Sequence, residues 1–191
     1  MKRKILTTAW VVLGIFVLGV MNASAQSAFV VNYFANNGVA GAPDAAVRVT
    51  NPGTSNGNLC AMVYVFDNDQ QMSECCGCIT TPDGLRTFSV SKDLTSNPLT
   101  GAISNNGDIK IVSAAINNSP CDPTANITPE YNLRAWGTHI QNKVSGAFPI
   151  TETAFQDATL SAGELANLQA DCFFINRLGS GHGLCTCGSG D

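Results

Sequence analysis

Along most of this chain, apolar and polar residues alternate in short runs closed by turn residues. "AAVRVTNPG" sets Val47 and Val49 on one face of a strand and Arg48 and Thr50 on the other, and Asn51-Pro52-Gly53 ends it. "LCAMVYVF" (59–66) is apolar on both faces, the pattern of a central strand covered on both sides. "DNDQ" (67–70) is polar, and "QMSECCGC" turns back, so the two segments read as a hairpin. In "TPDG" (81–84), Pro82 presets the corner of a turn and Gly84 is free of steric limits. "LRTFSVSKDL" alternates again through Leu85, Phe88 and Val90, with one slip at Arg86–Thr87. "NNGDIKIVSAAI" puts Ile109 and Ile111 opposite Lys110, and "YNLRAWGTHI" offers a strand with Leu133 and Trp136. "NNSPCDPTANITPE" (117–130) is loop-forming.

Short strands at regular spacing predict a mainly β fold: an antiparallel, immunoglobulin-like β-sandwich. One helix interrupts the pattern near the end. "SAGE" (161–164) is a capping box, and Leu165, Leu168 and Cys172 follow at helical spacing. This predicts a short helix over about Ala162–Ala170, packed on an edge or end of the sandwich, although Gly163 weakens it. The tail "GSGHGLCTCGSGD" is too rich in glycine to order itself, and Cys185 and Cys187 are placed to pin it.

The first residues follow a different logic. Lys2, Arg3 and Lys4 precede an apolar run from about Ala9 to Met21, and Ala23 and Ala25 stand at the small-residue positions of a cleavage site. Residues 1–26 therefore read as a secretory signal peptide, and the run is short for a membrane span. Residues 27–44 read as an N-terminal arm or edge strand, and 45–191 as the sandwich domain. Cleavage takes the basic count from ten to seven against 14 acidic residues, moving the net charge from −4 to −7. With no Lys/Arg cluster in the remainder, nucleic acid and anionic membranes are poor partners.

All eight cysteines lie beyond that signal: Cys60, Cys75, Cys76, Cys78, Cys121, Cys172, Cys185 and Cys187. An even count in an oxidising compartment predicts four structural disulfides. A turn of about two residues after Phe66 would set Cys60 opposite Cys76, Gly77 or Cys78, so a bond from Cys60 into the cluster is expected. Alternation sends Cys75 and Cys76 to opposite faces, so the cluster must also reach toward Cys121, Cys172, Cys185 or Cys187. The spacings C-C-x-C and C-x-C lack the C-x₂-C pairs usual for zinc, and Cys75–Cys78 opens no helix as a redox motif would.

Other chemistry is thin. "DND" (67–69) lacks the glycine and distal glutamate of a calcium loop. His139 and His182 are the two histidines, no G-x-S-x-G elbow exists, and His182 sits among glycines that hold a base poorly. No catalytic, cofactor or metal residue is assigned. Asn117 and Asn126 begin N-glycosylation patterns. A secreted carbohydrate-active hydrolase using loop carboxylates is the alternative to an inert scaffold.

Three blocks, "NPGTSNGNLCAMVYVFDNDQQMSECCGCITTPDGLRTFSVSKDLTSNPLT", "LRAWGTHIQNKVSGAFPITETAF" and "LGSGHGLCTCGSG", resemble an uncharacterised group of secreted, cysteine-rich proteins of acidobacteria. The resemblance implies bacterial export and makes eukaryotic glycosylation a weaker reading; it implies no activity or cofactor. The expected function is structural, assembly or binding work at the cell envelope or outside the cell. The expected partner is a protein or a polysaccharide, with self-assembly through an edge strand as a further route.

Overall fold

A computed structural model describes residues 27–54, 57–116 and 121–190. The signal expected over 1–26 and the pattern at Asn117 lie outside the described residues. Among the described residues ten strands and one α-helix follow in order: β1 (Phe29–Phe34), β2 (Ala46–Thr50), β3 (Leu59–Asp67), β4 (Met72–Thr80), β5 (Leu85–Ser89), β6 (Gly107–Ala115), β7 (Arg134–Ile140), β8 (Ile150–Ala154), β9 (Gln156–Asp157), α1 (Ala162–Arg177) and β10 (Ser189–Gly190). A π-helical turn, Val90–Leu94, follows β5. The strands form two antiparallel sheets, β4-β3-β6-β1-β9 and β10-β5-β2-β7-β8. The fold is thus mainly β, two packed sheets with one helix and four disulfides, compatible with an immunoglobulin-like sandwich.

Alternation explains the layering. Val47 and Val49 of β2, Ala61, Val63 and Val65 of β3, Phe88 of β5, and Ile109 and Ile111 of β6 meet between the sheets. The opposite face of β3 contributes Cys60, Met62 and Tyr64 to a second core, closed by Leu168, Cys172 and Ile175 of α1. β3 is therefore buried on both faces, as its unbroken apolarity requires. The helix lies over the outer face of the first sheet, not on an edge or end, and it runs to Arg177 rather than stopping at Ala170. Leu168 and Cys172 of the expected stripe are buried, and Ile175 continues it past Cys172 toward the helix end. Ser161 accepts from the Glu164 amide at 3.0 Å, the expected cap.

The segment 27–44 is not a loose arm. β1 pairs with β6 along its whole length and with β9 at Val30 and Val31, so it lies inside the sheet. Asn37 beyond it is buried, donating to Thr95 Oγ1 at 2.9 Å. An edge strand needs an unpaired row of backbone groups. Next to the short β9 pairing, the Tyr33 amide is capped by the Asn32 side chain at 2.9 Å.

The hairpin between β3 and β4 also departs from the simple count. Asp67 closes the turn, its carboxylate accepting from the amides of Asp69 and Gln71, each at 2.9 Å. The loop is longer than two residues, and the register shifts by one between Val65 and Phe66. Cys60 consequently faces Ile79 rather than a cysteine, and its bond goes to Cys121. The "DND" run is thereby accounted for as turn chemistry.

Gly77 separates Cys76 from Cys78 for a steric reason. A Cβ there would overlap the Cys121 carbonyl, which the Cys60–Cys121 bond holds against this face. Gly77→Ala is expected to lose roughly 2 kcal/mol through overpacking, read as a lower urea midpoint with unchanged slope.

Candidate functional site

Two lateral seams of the sandwich differ in how they are closed, and the difference locates the site. At the β4–β5 seam the tail acts as a clasp. Cys75 donates from its amide to Gly183 at 2.9 Å, Cys185 donates back to Cys75 at 3.2 Å, and β10 then pairs with β5 at Thr87 and Arg86. Cys76–Cys185 and Cys78–Cys187 rivet this strap to β4. Cys75 points the other way, into the second core, and joins Cys172 of α1. Asp93 holds Thr186 through its carboxylate at 2.8 Å and its carbonyl at 2.9 Å. The four bonds account for every cysteine, so no thiolate is present to bind a metal or exchange electrons. Among the described residues no group of His, Cys, Asp and Glu could hold a metal ion, and no helix is long and apolar enough to cross a membrane.

Beneath the clasp lies Glu74, wholly buried. Its Oε1 accepts from the Asn97 amide at 2.8 Å, and its Oε2 has no partner. Burial pushes its pKa up to about 7, against the opposing effect of the Asn97 N–H. A carboxyl in that range suits a general acid. Here, however, the carboxyl is sealed from any substrate, which removes it as a member of a glycosidase pair.

The opposite seam, between β1 and β8, is closed by side chains. Asn32 reaches across to Thr153, with Nδ2 3.4 Å from Oγ1. His139, buried on β7, shares a 2.6 Å hydrogen bond with Thr153 Oγ1 through Nε2. Burial lowers its pKa, and the Tyr33 carbonyl partly opposes the shift. Nδ1 makes no hydrogen bond of good geometry. A neutral imidazole on a hydroxyl has the outline of a base and nucleophile. With no carboxylate on Nδ1 to orient the ring, the pair acts as a support. What it supports is Tyr33, whose ring stacks on His139 at 4.1 Å between centroids and 24° between planes.

Around Tyr33 lies a groove of about 490 Å³, lined by Val31, Asn32, Asp108, Lys110, Thr153 and Gln156. Lys110 is paired with Glu164 of α1 at 2.8 Å and lies over the Phe66 ring at 4.6 Å. The Gln156 amide donates to the Ala154 carbonyl at 3.0 Å, leaving its own oxygen free to accept.

No family model matches the chain, and no curated protein or solved structure matches it. The site is therefore read from its own geometry.

His182 is exposed on the tail. The Tyr33 groove was not foreseen from the residues alone. "FVVNYF" reads as a strand, and Tyr33 is its one exposed position, between half-buried Asn32 and buried Phe34.

Proposed function

We propose that this chain is an exported, disulfide-stabilised β-sandwich protein with a binding role at the cell envelope or outside the cell. The groove beside Tyr33 is the surface it presents. The observation that carries this reading is the complete pairing of the cysteines, three of whose bonds radiate from one strand to the helix and tail. Such a framework persists where thiols are oxidised and suits a scaffold that must outlast its surroundings. A preformed groove with a braced aromatic and a few polar groups is the usual form of a binding site.

Intact mass of the full chain expressed in a bacterium tests this. Protein recovered from the envelope or medium should lack residues 1–26, weigh one hydrogen less per cysteine than its reduced form, and resist alkylation until reductant is added. Free thiols in that fraction, or retention of the whole product in the cytoplasm, would overturn it.

A further inference from the structure

We infer that the groove receives a sugar residue of a neutral polysaccharide, its C–H face laid on Tyr33 and its hydroxyls donated to Asp108 and Gln156. This rests on the reading above, because an exported chain is the one that meets wall and extracellular polysaccharides. Tyr33 is 48 % exposed although one face of its ring is covered by His139. The ring is thus fixed from behind and open in front, so a ligand that stacks on it need not order it first. Stacking needs a flat apolar face, and Val31 extends that surface.

The polar groups narrow the class of ligand. The Asp108 carboxylate is exposed and makes no hydrogen bond or ion pair among the described residues. Gln156 offers its oxygen, and one of its two amide hydrogens is engaged by the Ala154 carbonyl. Both amide functions of Asn32 are also engaged, by Thr153 and the Tyr33 amide. The Asp108 carboxylate and the Gln156 oxygen are acceptors open to the groove, and hydroxyl groups, which both donate and accept, suit them together with the remaining N–H groups of Gln156 and Lys110.

Charge removes the other candidates. Lys110 already neutralises Glu164, so the uncompensated charge in the groove is the Asp108 carboxylate. A phosphate or uronate would meet a like charge there. A purely apolar ligand would strip water from Asp108 and give nothing back. A neutral polyol with one apolar face satisfies both constraints, and about 490 Å³ accommodates one or two sugar units.

Affinity electrophoresis of the oxidised protein tests this in native gels containing a soluble β-glucan, a galactomannan or an arabinoxylan, with polygalacturonate as the anionic comparison. At least one neutral polymer should retard the protein, and polygalacturonate should not. Tyr33→Ala and Asp108→Asn should each weaken the retarding interaction by about tenfold, the effect of one stacking or charge-assisted contact. Leu85→Ala, on an exposed residue far from the groove, should leave it unchanged. Asp108→Asn changes one exposed group without altering size, so it stays informative if Tyr33→Ala fails to fold. Free passage through all three neutral gels, equal retardation by polygalacturonate, or full retardation of Asp108→Asn would overturn the inference. The intact-mass result stands apart from each of these outcomes.

Discussion

Replacing Cys60 and Cys121 together by alanine is expected to lower stability by about 4 kcal/mol, more than removing any other single bridge. The bond closes a stretch of 61 residues that no other bridge shortens, so its loss frees the largest part of the unfolded chain. The remaining three bonds overlap. Cys76–Cys185 and Cys78–Cys187 each span 109 residues, but either one leaves the other only a few residues to close. Losing one of them is expected to cost roughly 2 kcal/mol. Losing both should cost more than the sum, because the first to remain does the work of two. Cys75–Cys172 is intermediate at about 3 kcal/mol, since with the tail riveted it closes only the short path between Cys172 and Cys185. Urea unfolding of the paired Cys→Ala variants ranks them. If the Cys60/Cys121 variant proves no weaker than the Cys78/Cys187 variant, loop closure is not how these bonds act.

That ranking could not have been drawn from the residues alone, because it depends on pairing. Alternation was enough to sort Cys75 from Cys76, and the structure sends them to the helix and to the tail. It could not place Cys60, because partner choice across the hairpin hangs on loop length and on a one-residue shift at Val65 that no local pattern announces. Local signals that need few residues were legible: the Ser161 cap, the inward Val47 and Val49, and the double burial of β3. The end of α1 was not, because Phe173 and Phe174 are exposed next to buried Cys172 and Ile175, and the apolar stripe loses its contrast there. The groove was the least legible feature. Tyr33 and Asp108 meet through the pairing of β1 with β6, His139 and Thr153 through that of β7 with β8, and the two pairs come together only where the two sheets pack.

Glu74 makes the clasp pH-dependent, with a sign opposite to that of an ion-paired carboxylate. In the folded protein its carboxyl holds a proton until about pH 7, whereas its ordinary value is 4.5. Between those limits the folded state binds more protons than the unfolded one, so stability falls as pH rises. The contribution of this group is fully present below about 4.5 and is lost by the time pH passes about 7. At about 1.4 kcal/mol per pKa unit, the loss across the window is roughly 3 kcal/mol. The cause is local: an ionised Glu74 would have the Asn97 amide on Oε1 and nothing on Oε2. Asn97 also receives the Gly183 amide and donates its side chain to the Gly181 carbonyl, so the water that an ionised Oε2 draws in loosens the segment that seats the tail. Glu74→Gln keeps an acceptor for Asn97 and cannot ionise. Its own amide nitrogen would be buried without a partner, which lowers stability by a constant amount at every pH. The diagnostic quantity is therefore the slope. Urea unfolding of the wild type from pH 4 to pH 8 should show a decline that Glu74→Gln lacks, with faster amide exchange at Cys75 and Gly183 in the wild type at the upper end. A decline of the same size in both proteins would assign it to other carboxylates and leave Glu74 a passive buried acid.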